Sequence, residues 1–312
     1  MKRFALLLIS FISFVTKPVL LFLFLMLSFV PINASLAGIY NLKKQLQKNT
    51  WQSHILLAEV FLQYFYYFIE LLILWPLGLI KIANIEQFGA LIKHIHNKYK
   101  LGINQGIVSL GGHYGNIEIL GHAMMDAYAM ADVKPFYALA KPSKIKIINK
   151  IFEHVRQKRG FNVLWTGTKN FHESMINVAQ SGFGLALLVD QKPPRDGIFI
   201  PFFTEKAAFP ARGISIAVEA RMAFVHVTAK RVGLGKFELI FSEGCNEHLI
   251  SQDLFSEGSI KAQNASKKAE SSILIPQCTA VLTQYAIWLQ NIIQCDPGQW
   301  FWNYRKWSRK EK

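Results

Sequence analysis

The chain has 312 residues, of which 51% are apolar and only 18% charged, with 35 Lys and Arg against 20 Asp and Glu and a net charge of +15. This is oilier and less charged than an average soluble domain, so part of the apolar surface is expected to face lipid. The basic balance suits anionic head groups, phosphorylated substrates or acidic proteins, while the 24 Phe lie mostly in apolar runs without zinc-finger or aromatic RNA-binding spacing, which argues against nucleic acid.

Residues 4–30 carry a single charge, Lys17, and are long enough to cross a hydrocarbon layer of about 30 Å. Residues 1–34 are therefore expected to form a membrane anchor. A cleaved signal peptide is the rival, with Ser35-Leu36-Ala37 as its small-x-small site, but the apolar stretch is too long for one and is divided by Lys17-Pro18. A second oily stretch, residues 54–82, is interrupted by Glu59, Gln63, Glu70 and Pro76. It predicts membrane-associated helices within a segment 35–105, rather than another span.

From residue 106 the pattern changes to short β-rich runs alternating with helical stretches, which predicts an α/β sandwich over 106–312. The strands are expected at 106–110, 135–140, 161–165, 184–189, 197–203 and 222–230. The helices are expected at 117–130, 144–160, 171–182 and 211–220, and a polar insert at 244–272. Cys245, Cys278 and Cys295 have neither metal-ligand nor disulfide-framework spacing, so no metal site is expected.

The chemistry concentrates in residues 111–118, GGHYGNIE. A buried strand ending in Gly-Gly turns sharply and delivers His113 to the C-terminal edge of the sheet, where α/β folds place their sites. Asn116 is a plausible cap for the next helix, so Glu118 falls in its first turn and can fold back on the imidazole. A carboxylate accepting one ring N–H leaves the other nitrogen free as a base. With no Ser or Cys nucleophile adjacent, the pair suits direct attack by a substrate hydroxyl on an activated acyl group. The alternatives are a capping His with a dipole-complementing Glu, or a metal site that adds His122.

Two further sites are visible in the residues themselves. Asp190 and Gln191 end a strand expected beside the one carrying His113. Arg212 opens a helix after Pro210, where free N–H groups and a cation could hold an anion. The C-terminal Trp300, Phe301, Trp302 and Trp307, interleaved with Arg305, Lys306, Arg309 and Lys310, read as a membrane-interface tail or a core edge.

HYGNIE resembles the H-x-G-N-W-E signature of the bacterial lipid A late acyltransferases, within the wider glycerolipid acyltransferases that carry H-x4-D/E. LLVDQKPPRDGIFIPFF, AAFPARG, KPSKIKIINKIFEHVRQKRG and QWFWNYRKW follow the order of that family's other segments. The resemblance implies a glycerolipid-acyltransferase-like α/β sandwich behind an N-terminal anchor. It implies His113 as general base oriented by Glu118, with Arg156, Arg159 and Lys141 on substrate phosphates. It implies a fatty acyl thioester on acyl carrier protein as donor, and a phosphorylated lipid A precursor as acceptor, at the cytoplasmic side of the inner membrane. No nucleotide or redox cofactor is expected, because the thioester carries the driving force. Ile117, Lys141 and Thr204 replace the family's usual Trp, Arg and Gly, and bear on acceptor identity. Another lysophospholipid or glycolipid acceptor, or an inactive membrane scaffold, is the competing expectation.

Overall fold

Apolar runs build the body around one sheet. In the computed structural model, which describes residues 2–143, 149–150, 152–153, 156, 160, 162–193, 197–250 and 267–307, its strands are β1 (Lys81–Ala83), β2 (Ile107–Gly111), β3 (Phe136–Ala140), β4 (Asn162–Trp165), β5 (Gly184–Leu188), β8 (Ala223–Gly233) and β9 (Lys236–Glu243). Their order is β1-β9-β8-β2-β5-β3-β4. All neighbours run parallel except the β8/β9 hairpin. A separate antiparallel ribbon pairs β6 (Ile198–Phe202) with β7 (Glu205–Phe209).

The helices are α1 (Lys2–Ser28), α2 (Asn33–Gln45), α3 (Thr50–Ile69), α4 (Ile85–Lys98), α5 (Ile117–Met130), α6 (Phe171–Gln180), α7 (Arg212–Glu219) and α8 (Lys267–Cys295). One face of the sheet, with Ile107, Val225, Val227 and Phe136, packs under α4 and α5. The other, with Val108, Leu110, Leu185 and Leu187, packs under α6, α7 and α8. The expected α/β sandwich is present, and the strands foreseen from residue 106 onward sit within a residue or two of their places.

The sheet also recruits segments read otherwise. β1 and α4 fall inside the stretch expected to be membrane-associated helix, so the α/β fold begins before residue 106. β9 was missed because KFELIFSE is half polar, as befits a strand with one wetter face. The expected helix at 144–160 and the polar insert lie largely outside the described residues.

α1 lies antiparallel along α3. Ser28 Oγ is 2.9 Å from His54 Nδ1, Phe24 packs on Phe61 and Phe65, and Ser13 Oγ is 3.3 Å from the Tyr66 hydroxyl. Phe14, Val19, Phe22 and Leu23 of α1 and Trp51 and Phe68 of α3 are exposed. Residues Phe11–Ser28 and Thr50–Leu74 are both long and apolar enough to cross a membrane. The inner face of α3, however, buries Leu57 and Val60 in the core of the body.

The C-terminal segment is a core element among the described residues, not an interface tail. Trp300, Trp302 and Lys306 are buried. Asn41 Nδ2 donates to the carbonyls of Trp302 and Tyr304, and Trp307 Nε1 donates to Phe202. Lys306 Nζ donates to the Ala208 carbonyl at 2.8 Å and lies 3.6 Å from the Phe209 ring centre. Burial pushes its ammonium down to about 7, against a smaller opposing pull from Asp190.

An unfolded Lys titrates near 10.4, so between pH 7 and 10 the unfolded chain binds more protons than the folded one. Stability should therefore rise with pH across that window, by at most about 1.4 kcal/mol per unit. Lys306→Met should flatten the rise in urea melts of detergent-solubilised protein at pH 7 and pH 9. An equal rise in both proteins would mean that the amine is not the group titrating.

Candidate active site

β2 is buried along its whole length, and it ends at Gly111-Gly112 beneath α8. A Cβ at Gly112 would come within 3.2 Å of Leu289 and the Tyr285 hydroxyl, and that hydroxyl donates to the Gly111 carbonyl. The close approach of α8 forces the chain to turn there. It leaves His113 at the C-terminal edge of the sheet, its side chain 16% exposed.

The imidazole meets Asp190, not Glu118. β5 pairs with β2 so that Leu188 lies opposite Gly111, which brings residues 77 apart in sequence to one edge, where His113 Nδ1 lies 2.7 Å from Asp190 Oδ1. Asp190 Oδ2 accepts from the His113 backbone N–H at 2.7 Å and from Trp300 Nε1 at 2.9 Å. Burial alone would raise the Asp190 carboxyl, but the His113 charge and these N–H donors hold it below the usual carboxylate range. A carboxylate so saturated stays ionised and keeps the Nδ1 proton. In the neutral ring the lone pair is then on Nε2, 3.2 Å from the Gln191 amide nitrogen.

Glu118 has a different partner. Asn116 caps α5, its Oδ1 accepting from the N–H groups of Glu118 and Ile119. Both oxygens of the buried Glu118 carboxylate are taken by the Arg156 guanidinium, from Nε at 3.0 Å and from Nη2. This fork is the geometry that guanidinium and carboxylate favour. The expected fold-back on His113 is replaced by this ion pair, because the helix start aims Glu118 toward the residue 156 side of the cleft.

One cavity of about 550 Å³ joins these groups. His113, Glu118, Lys141, Arg156 and Gln191 line its mouth; Ser109, Gly121, Met124, Phe136, Ala138 and Ala186 line the part running under α5. Small residues of the strands, Ser109, Ala138 and Ala186, leave a mostly apolar slot there between helix and sheet. Lys141 is exposed at the rim, and Arg212 is exposed without lining the cavity. Arg159 lies outside the described residues. His122, on α5, is buried with its ring stacked on Trp75 at 4.2 Å and does not line the cavity.

Trp300 and Phe301 were not foreseen as site residues. Trp300 supplies one of the Asp190 donors, and the Phe301 ring packs 5.3 Å from the imidazole. The signal was an indole N–H that must find a partner once buried, but nothing local says which.

No curated protein matches the chain. The family model described as bacterial lipid A biosynthesis acyltransferase matches residues 47–309, most of the chain and all of the cavity's lining. The chain belongs to the bacterial lipid A biosynthesis acyltransferase family, and it is an acyltransferase.

Proposed function

We propose that the protein moves a fatty acyl chain from a thioester on acyl carrier protein to a hydroxyl of a phosphorylated lipid A precursor, at the cytoplasmic face of a bacterial inner membrane. The observation that carries this reading is the His113–Asp190 pair at the mouth of an apolar slot. Asp190 fixes the tautomer, so that Nε2 is the base.

The acceptor hydroxyl displaces the Gln191 amide and gives its proton to Nε2 while its oxygen attacks the thioester carbonyl. The tetrahedral intermediate expels the thiolate, which takes the proton back from the imidazolium, and Asp190 stabilises that cation between the two steps. The acyl chain lies in the slot under α5. The Glu118–Arg156 fork and Lys141 face the acceptor's phosphates, with Arg159 and Arg212 as further cations for them.

α1 holds the enzyme to the bilayer through its exposed apolar face. The +15 charge favours both the phosphorylated acceptor and an acidic carrier protein.

Deleting the gene in its host should leave lipid A lighter by one secondary acyl chain, with phospholipids unchanged by mass spectrometry. Restoring the wild type should restore the mass. Restoring Ala186→Phe, which fills the inner slot, should return a shorter chain. An unaltered lipid A with an accumulating lysophospholipid would move the enzyme to that acceptor, and an unaltered lipidome would favour a scaffold.

A further inference from the structure

We propose that Glu70 is a positioning residue for acyl transfer, acting on the active site through Asn116; its catalytic consequence rests on the reaction proposed above. α3 does not end in an ordinary turn. It passes into a π-helical turn, Glu70–Leu74, and such turns often mark functional positions in a helix. The turn drives the Glu70 carboxylate into the body, where it has no solvent exposure.

Four donors converge on it. Arg231 of β8 gives a two-bond fork, Nε to Oε1 and Nη2 to Oε2, both 2.6 Å. The Gly235 N–H adds a bond at 3.2 Å, and Asn116 Nδ2 donates to Oε2 at 3.0 Å.

The last bond reaches the catalytic loop. Asn116 caps α5 with its Oδ1, as described, and its amide can do so only if the NH₂ end points away from the helix. Glu70 accepts from that NH₂ and so fixes which way the amide faces. With the acceptor gone, the NH₂ is a buried donor without a partner, and the side chain can satisfy it only by leaving the position from which Oδ1 caps the helix. The start of α5, and with it the Glu118–Arg156 fork, would lose its fixed place.

The neighbouring backbone shares the anchor. Gly115 has φ +64° and sits so close to β8 that a Cβ would lie 1.9 Å from the Ala229 carbonyl oxygen. Its N–H donates to the Gln299 carbonyl, while the Gln299 side chain bonds both the N–H and the C=O of Arg231. The Arg231 backbone thus holds one side of the loop through Gln299, and Glu70 holds the other through Asn116. A buried ion pair is weak evidence for stability, since apolar residues of similar volume often replace one without loss. What an apolar pair cannot supply is the acceptor for Asn116.

That difference gives the test. The Glu70→Leu/Arg231→Met double variant removes the pair without leaving a lone buried charge. It should keep the wild-type melting temperature within a few degrees and KM for acceptor within about threefold, while kcat per folded molecule falls about 10- to 100-fold. Asn116→Ser keeps a cap oxygen but has no amide to orient, so in that background the same pair of changes should alter kcat by less than about threefold.

Hydrogen exchange on the substrate-free protein supplies a readout that does not depend on turnover. Protection of the Glu118 and Ile119 amides should fall at least about 10-fold in the double variant and stay unchanged in α4. Unchanged protection at these amides, kcat within twofold of wild type, or a loss that multiplies independently in the Asn116→Ser background would each overturn the proposal. If the wild type itself fails to turn over lipid A precursor, the function proposed above falls, and the exchange data still decide whether Glu70 holds the helix start.

Discussion

Asp190→Asn should lower kcat for acyl transfer by about 10³–10⁴-fold with little change in binding, a loss at least as large as that of His113→Ala, because a misdirected tautomer removes the base as surely as deleting it. The size follows from the donors around the carboxylate. Oδ2 accepts from the His113 backbone N–H and Trp300 Nε1, and Oδ1 faces His113 Nδ1. An asparagine must put its NH₂ at one of these two places. At Oδ2 it would meet two fixed N–H donors, so it turns to Oδ1. There it donates to Nδ1, which drives the ring proton to Nε2, the atom that must accept. Single-turnover kinetics with acyl thioester and lipid A precursor check this. Activity within a few-fold of wild type would show that Asp190 does not set the tautomer.

The site was half legible in the sequence, and the boundary is physical. His113 could be placed at a strand's end, and Asn116 as a helix cap, because both follow from bonds within a few residues. Its carboxylate partner could not be found that way. Glu118, five residues on, was within reach, but Asp190 is brought up only by the strand order that puts β5 beside β2, and a spacing rule contains no strand order. The same limit governs the C-terminus. Alternating Trp and basic residues read alike on a membrane and in a core, and only the contacts of Lys306 and Trp300 with residues some hundred positions away distinguish them. β9 escaped because its half-polar sequence does not declare itself, and β1 because its short run closes an oily stretch read as helix.

Glu118→Gln is the variant in which local reading and folded geometry part most sharply. Were Glu118 the residue that orients His113, its amide would disturb the tautomer, and kcat would fall with KM unchanged. The folded enzyme instead commits both Glu118 oxygens to Arg156, in side chains only 4% and 12% exposed, so the amide would break a buried, charge-assisted fork. A hydrogen bond to a charged group is worth roughly 1.5–3 kcal/mol, so kcat/KM should fall about 10- to 100-fold. If Arg156 meets the acceptor's phosphates as proposed, much of that loss should appear as a raised KM for the acceptor, because Arg156 would no longer be held in place. Arg156→Lys should do the same, since a point charge cannot form the fork. If the two residues act as one unit, the double variant should be hardly worse than either single one. A Glu118→Gln enzyme with wild-type KM, lowered kcat and an additive Arg156→Lys effect would return the carboxylate to the imidazole.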